Sequence, residues 1–381
     1  MNKRIRKASC ILVSAALCAF LCGCWDYRGV NEDTVVFGVA VDKTKKGDYH
    51  LSYEILDLIN TSKEKGVKTK MIESEGDTIF EAVRSAKKKL ANRLYFGNTL
   101  AIVINKELAK GEGISDILDC FLRNSECRET TEVVISEGDT AGEILSADGC
   151  DSAIISSEVD KIVENDQKET GSARRQQLYQ VYNTLTGEGT SLGLPAFSIT
   201  LNEGKPAAEV AGTAVFKGDK LQGFLTPEDS RYYLFVTNTL KGGVISVSSQ
   251  ESLFDDMSLE ITENSTDTSF ENKNGVIKLK IKTNTTVELS ETKKETELTT
   301  GQEIKNIQNA AEKKIKENMI RVIRQTQKKY NGDIFGFGQI IYKKDPKLWN
   351  KLRSDWDRMV KDMDIEVSCK VTVSATEMMM S

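Results

Sequence analysis

The stretch from Gly301 to Tyr330 limits what this chain can fold into more than any other. Ile304, Ile307, Ala311, Ile315, Met319 and Ile323 recur at steps of three and four, so they share one side of a helix. At ~1.5 Å per residue that helix is about 45 Å long. A one-sided stripe of that length has to be covered along its whole run, and a sheet can do it. The flanks supply the strands. The region from Gly243 to Leu289 is β-like, and Ile277 to Thr283 alternates with one wet face. Ile365 to Val373 alternates again and closes the chain. Asn331-Gly332 ends the long helix. A second helix is expected over 346–360, with Trp349, Leu352, Trp356 and Met359 at helical spacing.

Upstream the pattern changes. Thr34 to Asp42 is nearly all apolar and rich in valine, which reads as a buried strand. Lys43 to Asp48 supplies turn chemistry, and Tyr49, Leu51, Tyr53 and Ile55 then alternate, giving a hairpin. Thr78 and Glu81 stand in capping-box spacing ahead of Ile79, Val83, Ala86 and Leu90. From 77 to 147 helix and strand patterns alternate, with strands at Leu100–Ile104 and Glu132–Ser136 and a helix over Ile114–Arg123. The polar run from Glu164 to Glu188 is the internal candidate for a mobile loop or an exposed helix end. Ala211 to Gly223 reads as strand, turn, strand, and Thr226-Pro227 opens a helix.

The expected fold class is therefore α+β: three mixed α/β domains after a leader, the last a β-sheet packed by a long helix. The expected boundaries are 1–23 for the leader and 24–60 with about 190–235 for a first domain to which the chain returns. Residues 61–189 form the second domain. Residues 236–381 form the third, an antiparallel sheet with the helices 301–330 and 346–360.

The leader has a definite chemistry. Lys3, Arg4, Arg6 and Lys7 precede an apolar run from Ala8 to Leu21, the layout of a secretory signal. That run falls short of the ~20 residues a spanning helix needs. Leu21-Cys22-Gly23-Cys24 resembles the bacterial lipobox, in which a thiol takes a diacylglyceryl group and the chain is cut just before it. Cleavage is expected between Gly23 and Cys24, with lipidation at Cys24. Cys22 is a poorer candidate because bulky residues precede it. No long flexible spacer follows, so the folded body starts close to the lipid, with Trp25 and Tyr27 at the headgroups or capping the first core.

Composition excludes several classes of function. The formal net charge is −5, and the leader removes only basic residues, so the remainder is more acidic still. That argues against nucleic acid and against a polybasic hold on anionic lipid. Cys120, Cys127, Cys150 and Cys369 lack the spacing of a zinc site or a disulfide framework, and buried thiols are expected. His50 is the single histidine and sits in a strand pattern, which leaves no metal site rich in histidine and no triad around a nucleophile elbow. Ile334-Phe335-Gly336-Phe337-Gly338 lacks the third glycine of a dinucleotide loop and reads as a bend after the long helix. The pairs Asp255-Asp256 and Asp362/Asp364 have no partner set. No catalytic, cofactor or metal residue emerges.

Gly23-Cys24-Trp25-Asp26, the run Gly212-Thr213-Ala214-Val215-Phe216-Lys217-Gly218-Asp219-Lys220-Leu221, and Asp333 to Gly338 followed by Pro346, Trp349 and Trp356 occur in that order. The stretch from Asp119 through Glu129 fits between them. Together these resemble the C-subunit lipoproteins of spore nutrient germinant receptors, the Ger(x)C family. The tail Glu377 to Ser381 departs from the family in lacking a glycine. The resemblance implies three α+β domains, no enzyme activity and no cofactor. It implies diacylglyceryl and N-acyl (palmitate-type) chains on Cys24, and a place on the outer face of the spore inner membrane. It also implies integral-membrane A and B subunits as partners in nutrient-triggered germination. The alternative is a lipid-anchored solute-binding protein of a transporter, which needs two lobes around a cleft.

Overall fold

The computed structural model describes residues 32–62, 66–248, 257–273, 276–292, 301–330 and 332–374. Two mixed sheets organise them. The first contains β1 (Asp33–Lys43), β2 (Tyr49–Leu56), β3 (Thr69–Gly76), β4 (Arg93–Tyr95), β5 (Ala101–Asn105), β6 (Glu132–Ser136), β7 (Gly193–Asn202), β8 (Lys205–Lys217) and β9 (Lys220–Leu225). They lie in the order β3-β2-β1-β5-β6-β7-β8-β9, with β4 beside β1. Strands from the regions 24–60, 61–189 and 190–235 thus share hydrogen bonds in one sheet.

The valine-rich strands are buried on both faces because helices cover both. Val39 and Val41 of β1, Ile102 and Ile104 of β5, and Val133 and Ile135 of β6 enter one core. That face is covered by α1 (Ile79–Ser85), α2 (Lys106–Gly111), α3 (Ser115–Arg123) and, further along the chain, α6 (Leu178–Thr186). Ala40, Ala101, Val103 and Val134 point the other way, under α4 (Gly142–Leu145) and α5 (Ile155–Glu169). A parallel centre covered on both faces needs such continuous apolar runs. At α1, Thr78 Oγ1 accepts from the Glu81 N–H at 3.1 Å. Glu81 reaches back to the Asp77 N–H at 3.2 Å, one residue before the position a strict capping box uses.

In the polar run 164–188 an exposed helix end is found, with Lys168 and Glu169 closing α5 in solvent, and the segment after it packs inward. Residues up to Glu169 complete α5, and Gly171, Ser172, Ala173 and Gln176 are buried. Asp166 accepts from the N–H groups of Ser172 at 2.8 Å and Ala173 at 2.6 Å, which satisfies the turn. Arg175 then ion-pairs with Glu132 and Asp160, so the polar residues are matched internally.

The second part starts with α7 (Pro227–Val236), capped by Thr226. Its sheet has the order β10 (Val244–Val247), β11 (Met257–Lys273), β12 (Val276–Thr292), β13 (Asp364–Val373). β11 and β12 form a long antiparallel hairpin, and β13 pairs with β12 in parallel from Lys278↔Asp364 to Val287↔Val373. A parallel partner requires a long crossover. It is made by α8 (Gly301–Lys329), α9 (Phe337–Lys344), α10 (Pro346–Leu352) and α11 (Trp356–Met359). The α8 stripe of Ile307, Ala311, Ile315, Met319 and Ile323 is buried in the same core as Leu279, Ile281, Val367 and Val371.

Three expectations need correction here. The sheet of 236–381 is mixed and not antiparallel, because the helical crossover returns β13 parallel to β12. The helix over 346–360 is broken into α10 and α11 by a turn at 353–355, where the Asp355 N–H donates to Leu352 O at 3.0 Å. The break brings Trp349 and Trp356 edge to face with centroids 5.3 Å apart, closer than seven residues of continuous helix allow. The bend at 334–338 also does more than turn the chain. Gly336 takes a left-handed φ of 72°, and a helix, α9, starts at Phe337.

Candidate interaction surfaces

Gly23 and Cys24, the expected cut and lipid site, lie outside the described residues, as do Trp25 and Tyr27. The chain that follows them enters the fold at a defined point. Asp33 opens β1, and its carboxylate accepts from Arg93 Nε at 2.8 Å. Arg93 also meets Glu126 at 2.7 Å. The bond to Asp33, with help from Glu126, holds the Arg93 guanidinium above its ordinary pKa.

Next to this ion pair, α1 and α3 leave an open groove of about 300 Å³. Its floor is Leu94, Phe96 and Phe121, with Phe96 edge-on to both Tyr53 and Phe121. Phe80 lines it at 61% exposure, under the Arg84 guanidinium at 5.0 Å. Arg93 and Arg123 stand on the rim. Cys120 lines it too, but burial raises its thiol pKa, so it is a poor nucleophile. An apolar floor with a cationic rim can pack a partner surface.

The other titratable groups are explained by structure. His50 is on β2, with Nδ1 3.4 Å from Glu75 and Nε2 4.0 Å from Glu73, on a partly exposed face. Glu54 accepts from the N–H groups of Ile155 at 2.7 Å and Ser156 at 2.9 Å, capping α5. Asp42 does the same for α4 through Ala141 and Gly142, and burial raises its pKa. Glu132 is wholly buried, and burial pushes it up to about 7 against the pull of the Gln176 N–H and Arg175. Cys120, Cys127 and Cys369 are partly buried free thiols. Cys150 is exposed, contrary to the expectation of buried thiols, because its loop lies at the surface after α4. Among the described residues no group of three His, Cys, Asp or Glu side chains could hold a metal ion.

The Asp333–Gly338 motif, with its two tryptophans, builds a joint between the two sheets. Asp333 is 3% exposed and accepts from the Gly338 N–H at 2.8 Å and from Trp356 Nε1 at 3.1 Å. Burial raises its carboxyl to about 6 against those bonds. The Asp333 carbonyl accepts from the Ser191 N–H at 2.8 Å, and Gln339 N–H donates to Gly189 O at 2.7 Å. Trp349 Nε1 donates to Glu188. Tyr330 donates its hydroxyl to Phe224 O at 2.7 Å. Gly189, at φ +73°, is so close that a Cβ there would lie 2.4 Å from the Gly338 carbonyl carbon. Of the two glycines that invite a phosphate-loop reading, Gly338 lets the backbone meet that of Gly189, and Gly336 supplies the left-handed turn. Sequence spacing could not reveal this, since Glu188–Ser191 and Asp333–Trp356 are far apart in the chain.

Among the described residues no helix is long and apolar enough to cross a membrane. Residues 26–199 match the family described as the spore germination protein N-terminal domain. Residues 211–377 match the family described as spore germination B3/GerAC like, C-terminal. Spore germination protein KC of Bacillus subtilis (strain 168) is 25% identical over 98% of this chain and 96% of its own length. Spore germination protein B3 of the same organism is 22% identical over 92% and 94%, and spore germination protein A3 is 25% identical over 90% and 91%. The crystal structure of the GerBC protein superposes with a TM-score of 0.56 at 20% identity, covering 89% of this chain and 97% of that one, which shows the fold alone. With both halves matched in order along one chain, and relatives aligned from end to end, the chain belongs to the Ger(x)C family of spore germination proteins.

Proposed function

We propose that this chain is the lipid-anchored, non-catalytic subunit of a nutrient germinant receptor. The match of the N-terminal and C-terminal family models, in order and on one chain, carries the reading. In it, residues 1–23 are removed and the Cys24 thiol takes a diacylglyceryl group, with an acyl chain on its amine. Two such attachments retain a protein on a bilayer where one chain is marginal. The body then stands on the outer face of the spore inner membrane and works through surfaces, alongside integral-membrane A and B subunits. The groove between α1 and α3 is one such surface. It lies beside Arg93 and Asp33, near where the chain leaves the lipid.

The test uses spores carrying Cys24→Ala. The chain is expected to leave the membrane fraction, and nutrient-triggered release of dipicolinic acid to fall to the level of a strain lacking the gene. Full retention on the membrane would refute the anchor. Pull-down of the tagged parent without any A or B subunit would refute the complex.

A further inference from the structure

The loop between β2 and β3 holds apolar side chains out into solvent. Ile59 is 86% exposed, the most of any large apolar side chain among the described residues, and Leu58 is 68% exposed. The backbone around them is well tied. Asp57 Oδ1 accepts from the Ile59 N–H at 3.1 Å, and Asp57 Oδ2 accepts from Asn60 Nδ2 at 2.6 Å. The Asp57 N–H donates to Lys68 O at 2.8 Å, and the Thr61 N–H to Asp57 O at 3.0 Å. The Lys68 N–H donates to Thr61 Oγ1 at 3.0 Å. Among the described residues these bonds are made within the loop, and they leave the aliphatic pair mostly in solvent.

The register gives its place. Val36 of β1 pairs with Ile55 of β2, and Leu56 pairs with Thr69 of β3. Asp33, three residues before Val36, and Leu58, three after Ile55, therefore extend from the same end of the sheet. Eight residues separate Cys24 from Asp33, at most about 30 Å of extended chain. The charge is also local. Lys68 and Lys70 are exposed, Lys70 standing 3.9 Å from Asp57, and from Asp57 to Lys70 the sequence sets four lysines against two acids, Asp57 and Glu64. The chain's negative total hides this basic island.

We infer that the Leu58–Ile59 loop enters the surface of an anionic bilayer as a second contact, with Lys68 and Lys70 on lipid phosphates. The inference rests on the reading that the chain is tethered at its N-terminal end. A protein partner is disfavoured because a stable interface buries on the order of 1,000 Å² or more, and here two aliphatic side chains stand above the polar Asn60, Thr61 and Ser62. A bilayer needs no matching shape, only apolar tips and basic flanks.

The experiment leaves out the thiol, so it does not depend on Cys24. Residues 1–24, which no described element uses, are replaced by a hexahistidine tag held on nickel-chelating lipid in phosphatidylglycerol vesicles. Ile59→Trp and, separately, Leu201→Trp serve as probes read by brominated lipid. Leu201 is 73% exposed near the β7–β8 turn, with β2, β1, β5 and β6 between β7 and β3 in the sheet. Trp349 and Trp356 are buried and give a constant background, and the parent chain corrects for Trp25. Emission of the indole introduced by Ile59→Trp is expected to fall about twofold on tethering, while the one introduced by Leu201→Trp stays unquenched. Neutral phosphatidylcholine, or Lys68→Glu with Lys70→Glu, is expected to weaken the effect. Equal quenching of both probes, or none of the loop probe on vesicles that co-sediment the chain, would overturn the proposal. Quenching of the loop probe that requires an added membrane protein would assign the loop to that protein instead.

Discussion

Trp356 and Ile59 are both large apolar side chains at a turn of the chain, yet one is 5% exposed and the other 86%. The difference lies in where the neighbouring polar groups are directed. Around Trp356 they converge across the molecule: Asp333 takes the indole N–H, and the Ser191 N–H reaches the Asp333 carbonyl. Two distant stretches are thereby locked together and water is excluded. Around Ile59 they close on themselves: Asp57 and Thr61 satisfy the loop within a dozen residues. Apolar burial follows from polar groups that reach outward; apolar display follows from polar groups that reach inward.

The largest test of that contrast is Gly189→Val. The substituent would meet the Gly338 carbonyl carbon at 2.4 Å in a left-handed backbone, so about 4 kcal/mol of stability should be lost. Urea unfolding at neutral pH reads it, and an unchanged midpoint would mean that the joint is not tight. The next effect is one of pH. Asp333 ionises at about 6 in the folded chain against an ordinary 3.8, so the folded state binds its proton more firmly. Its contribution is fully present below about pH 4 and is lost as pH rises through 6. Relative to the parent, Asp333→Asn should therefore gain about 2 to 3 kcal/mol between pH 4 and pH 7. A constant difference across that range would show the carboxyl to be unperturbed. Smaller again is Lys217→Ala, which removes an exposed 2.8 Å pair with Asp357 across the joint and should cost about 0 to 1 kcal/mol, more at low salt than high. At the far end of the scale, Leu58→Ser with Ile59→Ser should leave stability within about 0.5 kcal/mol, since both side chains stand mostly in solvent. A midpoint shift comparable to that of Gly189→Val would erase the distinction between the two regions.

What a sequence reveals in advance depends on the range of the forces involved. The α8 stripe and the alternation of β12 come from a single face meeting a single core, so periodicity alone locates them. The break at 353–355 is hidden because Trp349, Leu352, Trp356 and Met359 keep helical spacing through it. What decides it is Asp333, 23 positions from Trp356. Asp355, an amino acid suited to opening a helix, is the one local sign. The inward packing of the segment after Glu169 is hidden for the same reason, because Arg175 answers to Glu132, 43 positions away. Of the candidate site, Cys24 is legible as a motif and lies outside the described residues. Leu58-Ile59 gives no such signal, because two apolar residues between Asp57 and a lysine cluster carry no period.

β1, the first strand among the described residues, is interior to its sheet. β2 lies along one edge, and β4 and β5 share the other. Any pull on the N-terminal segment is therefore delivered along a strand gripped from both sides, where the ladder bonds run across the direction of the load. They must yield together in shear instead of peeling one at a time, so the fold meets mechanical tension at one of its strongest seams.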